Sequence, residues 1–243
     1  MALYLSKKKR PAKEEKMLKI SWPAYDGVFN RETMLDLQEF FSKKLIKSLD
    51  YCIAKGKEAN VYRATTPSGE YLAVKIYRLH TPSFVKMYEY LEGDQRFLKV
   101  QKSKPKIIFS WTKKEFSNLK YLSEIKVPVP KPISFKKNIL IMEFLGENGI
   151  PYSTLAQIGP TKPKEQKEFL IEQIEKMYQN QIVHADLSEY NILIDDQANR
   201  LFIIDCAQAV LTSHPKANEW YSRDKENIER YFKKFLNNSK QES

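Results

Sequence analysis

No apolar run in this chain approaches the length of a membrane span, no segment repeats, no tract is of low complexity, and cysteine occurs only twice. Without about 20 consecutive apolar residues there is no transmembrane helix, and the first residues lack the apolar stretch of a secretory signal. Cys52 and Cys206 lie far apart and at no metal-ligand spacing, which makes a reduced interior the simplest setting and leaves neither thiol a required role. The expectation is a soluble, cytoplasmic protein with no membrane partner. His80 and His214 have no catalytic context and are assigned no role.

Hydrophobic residues at 42% and aromatics at 12% are enough to build a core through most of the 243 residues, as one large domain or two small lobes. Lys and Arg number 41 against 30 Asp and Glu, a net charge of +11 that favours an anionic partner such as RNA. A nucleotide cleft accounts for only part of that excess, and charge alone does not identify RNA.

Residues 182 to 206 organise the rest. Two short apolar runs, Ile192 to Ile194 and Leu201 to Ile204, flank a polar turn at Asp195 to Arg200, the pattern of a β-hairpin. Asp186 and Asn191 stand before the first strand and Asp205 just past the second, so a hairpin brings one amide oxygen and two carboxylates together at its open end. Oxygen ligands of that kind suit magnesium, which takes one or two carboxylates and fills its other positions with phosphates and water.

The spacing His184-x-Asp186, four residues, Asn191, then an apolar strand ending in Asp205 matches the protein-kinase catalytic loop and its metal-binding aspartate. The wording His184-Ala185-Asp186-Leu187-Ser188-Glu189-Tyr190-Asn191, with Ile203-Ile204-Asp205 and the upstream Gly56-Lys57-Glu58-Ala59-Asn60-Val61-Tyr62, resembles the RIO family of atypical serine kinases, closest to its type-one subfamily. The resemblance covers roughly residues 20 to 236. It implies an α+β, two-lobed kinase-like fold: an N-lobe antiparallel sheet with helices, a reduced and mostly helical C-lobe, and ATP with magnesium, or manganese in its place, between them.

In chain order, residues 1–19 carry Lys7-Lys8-Lys9-Arg10-Pro11 and read as a basic flexible tail. Within 20–49, Met34, Leu37, Phe41, Leu45 and Leu49 recur at helical spacing behind the capping residue Asn30, which predicts a helix from Asn30 to about Leu49. Residues 50–142 read as the nucleotide-binding lobe, with strands at Val61 to Ala64 and Tyr71 to Tyr77. Between 79 and 112 there is no sustained periodicity and a lysine-rich run, so a flexible loop is expected; the type-one RIO kinases have one there. A second helix is expected from Trp111 to Glu124, then an extended proline connector and strands at Ile133 to Phe135 and Asn138 to Met142. Residues 143–149 read as the hinge. Residues 150–243 read as the C-lobe, with helices at Glu165 to Asn180 and about Asn218 to Leu236.

The resemblance implies roles residue by residue. Gly56 and Lys57 belong to a shortened phosphate-covering loop, in which Ala54-Lys55 replace the family's usual Ser-Thr, so no hydroxyl contact is carried over there and a positive charge is added. Lys75 is the strand lysine for the nucleotide's phosphates and Glu115 its partner in the first turns of the second helix. The Glu143 carbonyl and Leu145 amide hold adenine. Asn191 and Asp205 hold the metal, Asp186 orients or deprotonates the acceptor, and His184 orders the loop. Asp205 is followed by Cys206-Ala207 rather than Phe-Gly, and no Ala-Pro-Glu appears, so the usual peptide-docking platform is expected to be missing or reduced. Nucleotide chemistry survives that loss better than peptide recognition does.

The family's work is implied to lie in maturation of the small ribosomal subunit, partly as an ATPase that passes phosphate through Asp205. The basic tail and loop are candidates for ribosomal RNA contact. The alternatives are a small-molecule phosphotransferase of the aminoglycoside or choline kinase kind, which shares the His-x-Asp, Asn and Asp series, and a nucleotide-binding scaffold without turnover.

Overall fold

The computed structural model describes residues 27–97 and 103–238. The basic tail at 1–19 and the start of the lysine-rich run, up to residue 102, fall outside them. Helix α1 (Arg31–Ser42) starts where the Asn30 side chain accepts the Thr33 N–H at 2.8 Å. It stops earlier than its apolar spacing suggests. Lys44 takes a left-handed conformation (φ 56°), Lys44 N–H returns to Phe41 O, and Leu45 N–H returns to Phe40 O, which ends the helix. Leu45 is therefore past the helix and Leu49 lies in β1.

Strands β1 (Ser48–Lys55), β2 (Ala59–Thr65), β3 (Tyr71–Tyr77), β4 (Pro132–Lys136) and β5 (Ile139–Glu143) form one antiparallel sheet in the order β1-β2-β3-β5-β4. Both faces of its central strands are covered, so β3 and β5 are near-continuous apolar runs. Val74, Ile76, Ile139 and Ile141 pack with Leu37 and Phe40 of α1. Ala73, Leu140 and Met142 point the other way, into a core with Leu119 and Leu122. Strand alternation thus turns Lys75 and Tyr77 to the same side as Ala73.

The segment expected to be a loop, 79–112, holds α2 (Phe84–Glu92), a 3₁₀ turn at Gln95–Phe97 and the start of α3 (Lys104–Glu124). Phe84, Met87, Tyr90 and Leu91 recur at helical spacing and are buried with Ile107, Ile108, Trp111 and Trp220. The second helix begins at Lys104 rather than Trp111, with Pro105 in its first turn, so Glu115 lies at its middle and not in its first turns.

Past β5 come two short strands, β6 (Gly146–Glu147) and β7 (Ile150–Pro151), then β8 (Ser153–Thr154), α4 (Leu155–Ile158) and α5 (Pro163–Gln179). Strands β9 (Ile182–Val183), β10 (Ile192–Asp195), β11 (Arg200–Ile203) and β12 (Val210–Leu211) follow, and α6 (Ala217–Asn238) closes the described chain. Strands β10 and β11 pair antiparallel from Ile192 with Ile203 to Asp195 with Arg200, and β8 adds to the other edge of β10. Helices α5 and α6 pack on each other, and one apolar core runs from Leu119 and Leu140 through Leu170 and Ile203 to Ile228 and Phe232. No helix among the described residues is long and apolar enough to cross a membrane.

Candidate active site

Strand β3 delivers Lys75 and helix α3 delivers Glu115 to the same buried place, with Nζ 2.7 Å from Glu115 Oε1. Glu115 is 1% exposed, and its other oxygen accepts the Tyr77 hydroxyl two residues along β3. A second carboxylate meets the same ammonium: Asp205 Oδ1 lies 2.8 Å from Nζ. Burial opposes the charge on Lys75, but Asp205 and Glu115 hold the ammonium well above the usual lysine range. Burial likewise pushes the Asp205 carboxyl up, and Lys75 overrides it, leaving Asp205 below the ordinary carboxylate range.

Asp205 sits two residues past β11, where it caps the turn Cys206–Gln208, in a left-handed conformation (φ 60°) with 45% of its side chain exposed. That conformation is uncommon for a residue with a side chain and marks a constrained position. The strand leading to it is tied to the loop before β10. Ile204 N–H donates to Asn191 O at 2.9 Å, and Ile204 O accepts from His184 Nε2 at 3.2 Å. Asn191 Nδ2 donates to the Asp186 carbonyl at 2.9 Å. Asp186, Asn191 and Asp205 therefore converge at the open end of the hairpin. His184 is buried, and burial lowers its imidazole to about 4, so it is a neutral ring that joins loop to strand.

Burial, and then the charge of Asp205, raise the Asp186 carboxyl above its ordinary value. Its Oδ2 accepts from Gln208 Nε2 at 2.8 Å. The backbone on either side of it is held from α6: Asp224 accepts the Ala185 N–H and the Leu187 N–H, each at 2.8 Å. Asn227 Nδ2 adds a bond to Leu187 O at 3.1 Å. Left-handed Ala185 (φ 67°) lets the loop make this turn.

The remaining sequence-derived candidates lie along the sheet. Gly56 N–H donates to Ala59 O at 2.9 Å, and a Cβ on Gly56 would meet that oxygen at 3.0 Å, so the β1–β2 turn is as tight as glycine permits; Lys57 is exposed at its tip. Leu72 pairs with Glu143 and Lys75 with Leu140, which sets the end of β5 three residues, about 10 Å, along the sheet from Lys75. Glu143 uses its side chain to accept Lys131 N–H, and Leu145 O accepts Tyr152 N–H. Glu143 thus stands along the sheet from the Lys75 cluster, with Leu145 two residues beyond it in the chain.

The donor set fits a hard divalent ion that shares its coordination with phosphate. Asn191 offers an amide oxygen and Asp205 a half-exposed carboxylate. Among the described residues no group of three or more His, Cys, Asp or Glu forms a protein-only cage.

Tyr77, Gln208 and Asp224 escaped the reading of the sequence. For Asp224 a signal existed, since it lies four residues after Trp220 and four before Ile228, in the apolar stripe of α6. A carboxylate in such a stripe is buried and needs partners. Gln208 carries no comparable signal.

A family model described as RIO domain matches residues 60–243. The RIO-type serine/threonine-protein kinase Rio1 of Thermoplasma acidophilum is 40% identical over 174 residues, covering 72% of this chain and 90% of that protein. Its counterpart in Haloferax volcanii is 35% identical over 208 residues, covering 86% and 71%. The human serine/threonine-protein kinase RIO1 is 34% identical over 212 residues, but the overlap is 37% of that longer protein. Among solved structures, the Rio2 kinase–ADP/Mg2+–phosphoaspartate complex from Chaetomium thermophilum superposes with a TM-score of 0.66 at 23% identity, covering 84% of this chain and 61% of that one. At that identity the likeness speaks for the fold alone, which is the two-lobed kinase-like α+β fold.

Proposed function

This chain belongs to the RIO family, and from that premise we propose that it is a magnesium-dependent phosphotransferase that takes the γ-phosphoryl group of ATP. The proposed acceptors are serine or threonine hydroxyls and water, and the proposed setting is maturation of the small ribosomal subunit. The observation that carries the reading is the position of Lys75, one buried ammonium between Glu115 and Asp205 with Asp186 and Asn191 gathered at the same hairpin end.

Phosphoryl transfer asks a protein mainly for positioning and charge neutralisation. On nucleotide binding, Lys75 exchanges Asp205 for phosphate oxygens and stays oriented by Glu115. Asn191 and the released Asp205 would hold the divalent ion, magnesium or manganese. That ion supplies neutralisation of charge on the transferring phosphoryl oxygens. Gly56 lets the β1–β2 turn approach the phosphates, with Lys57 at its tip, and the Glu143 carbonyl and Leu145 amide receive adenine. Asp186 accepts the proton of the attacking hydroxyl or water; a carboxyl raised by burial is the better base for it. On this assignment residues 50–142 form the nucleotide lobe, 143–149 the hinge and 150–243 the lobe bearing Asp186 and Asp205.

Two routes to phosphate release fit these groups. In one, water attacks the γ-phosphorus directly. In the other, an Asp205 oxygen attacks it, the bond to ADP breaks, and water then hydrolyses the aspartyl-phosphate to inorganic phosphate and restores the carboxylate. The Chaetomium Rio2 kinase, which shares the fold, was crystallised as an ADP/Mg2+–phosphoaspartate complex.

The test is to mix the chain with magnesium and ATP labelled on the γ-phosphate, alone and with small ribosomal subunits, and to follow the label. Free phosphate with a hydroxylamine-labile label that disappears in Asp205→Asn means turnover through Asp205. Acid-stable label on serine, lost in Asp186→Ala, means protein phosphorylation. No transfer of label at all overturns the proposal. Contact with ribosomal RNA is supported by the net charge of +11, and subunit binding that does not weaken with salt would remove that part.

A further inference from the structure

We infer that Gln208 is the positioning residue for Asp186, holding one carboxylate oxygen so that the other meets the acceptor's proton. The inference rests on the proposed phosphotransferase reading and adds to it a residue outside the family-derived set.

The Gln208 amide is placed for a single bond. Its Nε2 donates to Asp186 Oδ2 at 2.8 Å, while its own Oε1 is buried and has no hydrogen-bond partner. A buried carbonyl oxygen left without a donor is unfavourable, and such an orphan in a native site calls for a compensating reason. The bond to Asp186 supplies one. An amide is also the right donor, since it fixes a carboxylate without adding a charge next to Asp205 and Lys75.

The backbone beneath Gln208 is held with unusual firmness. It belongs to the 3₁₀ turn Cys206–Gln208 that follows Asp205. Lys114 of α3, 0% exposed, donates to Ala207 O at 3.0 Å and also to Ala209 O. Asn118, one turn further along α3, donates to Cys206 O and Ala209 O, both at 2.8 Å. These two side chains are locked in turn by the segment after α2. Arg96 donates to Asn118 Oδ1 at 2.9 Å and pairs with Asp94 at 2.6 Å, and Asp94 lies 3.9 Å from Lys114. Burying a lysine and an asparagine to bind main-chain carbonyls is costly unless the turn they fix must be fixed. Asp224 holds the loop backbone on the opposite side. Asp186 is therefore gripped twice, by α6 through the main chain of its two neighbours and by α3 through the turn that carries Gln208.

The test compares Gln208→Ala and the near-isosteric Gln208→Met with wild type in the full chain, in steady-state release of labelled phosphate from ATP. Both variants should lose at least tenfold in kcat with the KM for ATP within about twofold, measured at a temperature where both are fully folded, because the orphan oxygen removed and the donor lost to Asp186 act on stability in opposite directions. In an Asp186→Ala background, adding Gln208→Ala should change the residual rate by less than twofold, because the residue acts through Asp186. Wild-type kcat in both variants, a loss that follows a fall in melting temperature, or equal losses in the two backgrounds overturns the inference alone. A wild-type chain that transfers no label overturns the underlying reading, and the inference with it.

Discussion

Lys75 Nζ lies 2.8 Å from Asp205 Oδ1, a contact that joins strand β3 of one lobe to the turn just past β11 in the other. The same ammonium also neutralises buried Glu115, so Lys75→Met leaves two carboxylates unbalanced. Breaking a buried ion pair from one side costs about 3–5 kcal/mol. Lys75→Met should lower stability on that scale and cut ATP turnover at least a hundredfold. Lys75→Met combined with Glu115→Leu should recover most of the stability and none of the turnover. Denaturant unfolding and labelled-phosphate release check the two halves separately.

Tyr77 holds the other oxygen of Glu115 from inside the sheet. Tyr77→Phe keeps the ring packing and removes one donor to a buried carboxylate, a loss of about 1–3 kcal/mol. The freed glutamate orients Lys75 less well, so the KM for ATP should rise more than kcat falls. An unchanged KM would mean that the phenol serves packing only.

Asp224 is buried, and desolvation pushes its carboxyl up to about 7 although the Leu187 and Ala185 amides pull it down. A carboxyl raised in the folded state keeps a proton that the unfolded chain has lost, so its contribution to stability is full below the ordinary value of 3.8 and declines as pH rises through about 7. Asp224→Asn removes that slope. The melting temperature of wild type minus that of Asp224→Asn should therefore fall between about pH 5 and about pH 8; parallel curves contradict it.

Asn191 supplies an uncharged ligand oxygen beside Asp205 on the proposed reading. Chelation of divalent ions should stop ATP turnover. Asn191→Ala should raise the magnesium concentration for half-maximal rate by about tenfold or more, since few protein ligands share the ion. A magnesium titration identical to wild type would place the ion elsewhere.

The elements readable from the sequence are those whose signals are local. The Asn30 cap, the strand Tyr71–Tyr77 and the hairpin Ile192–Asp195 with Arg200–Ile203 follow from capping and apolar periodicity. The end of α1 does not, because its left-handed stop is a lysine, Lys44, where glycine would have announced it. Helix α2 was hidden by its charged face, although Phe84, Met87, Tyr90 and Leu91 carry the helical spacing. The short helix α4 had a readable start, the capping box of Thr154 with Gln157.

Sequence by itself determined which chemical groups this protein has: one lysine at the end of an apolar triplet, an aspartate and an asparagine at fixed spacing, and a second aspartate after a strand. It determined their order because hydrophobic periodicity and turn residues act over a few positions. Only the tertiary structure decided what each group touches. Strand alternation and the crossing of α3 put Glu115 on Lys75, helix α6 set Asp224 beneath Ala185 and Leu187, and the turn after Asp205 brought Gln208 to Asp186. These contacts join residues between 22 and 40 positions apart. Such pairings depend on how whole faces pack, and no local pattern encodes them.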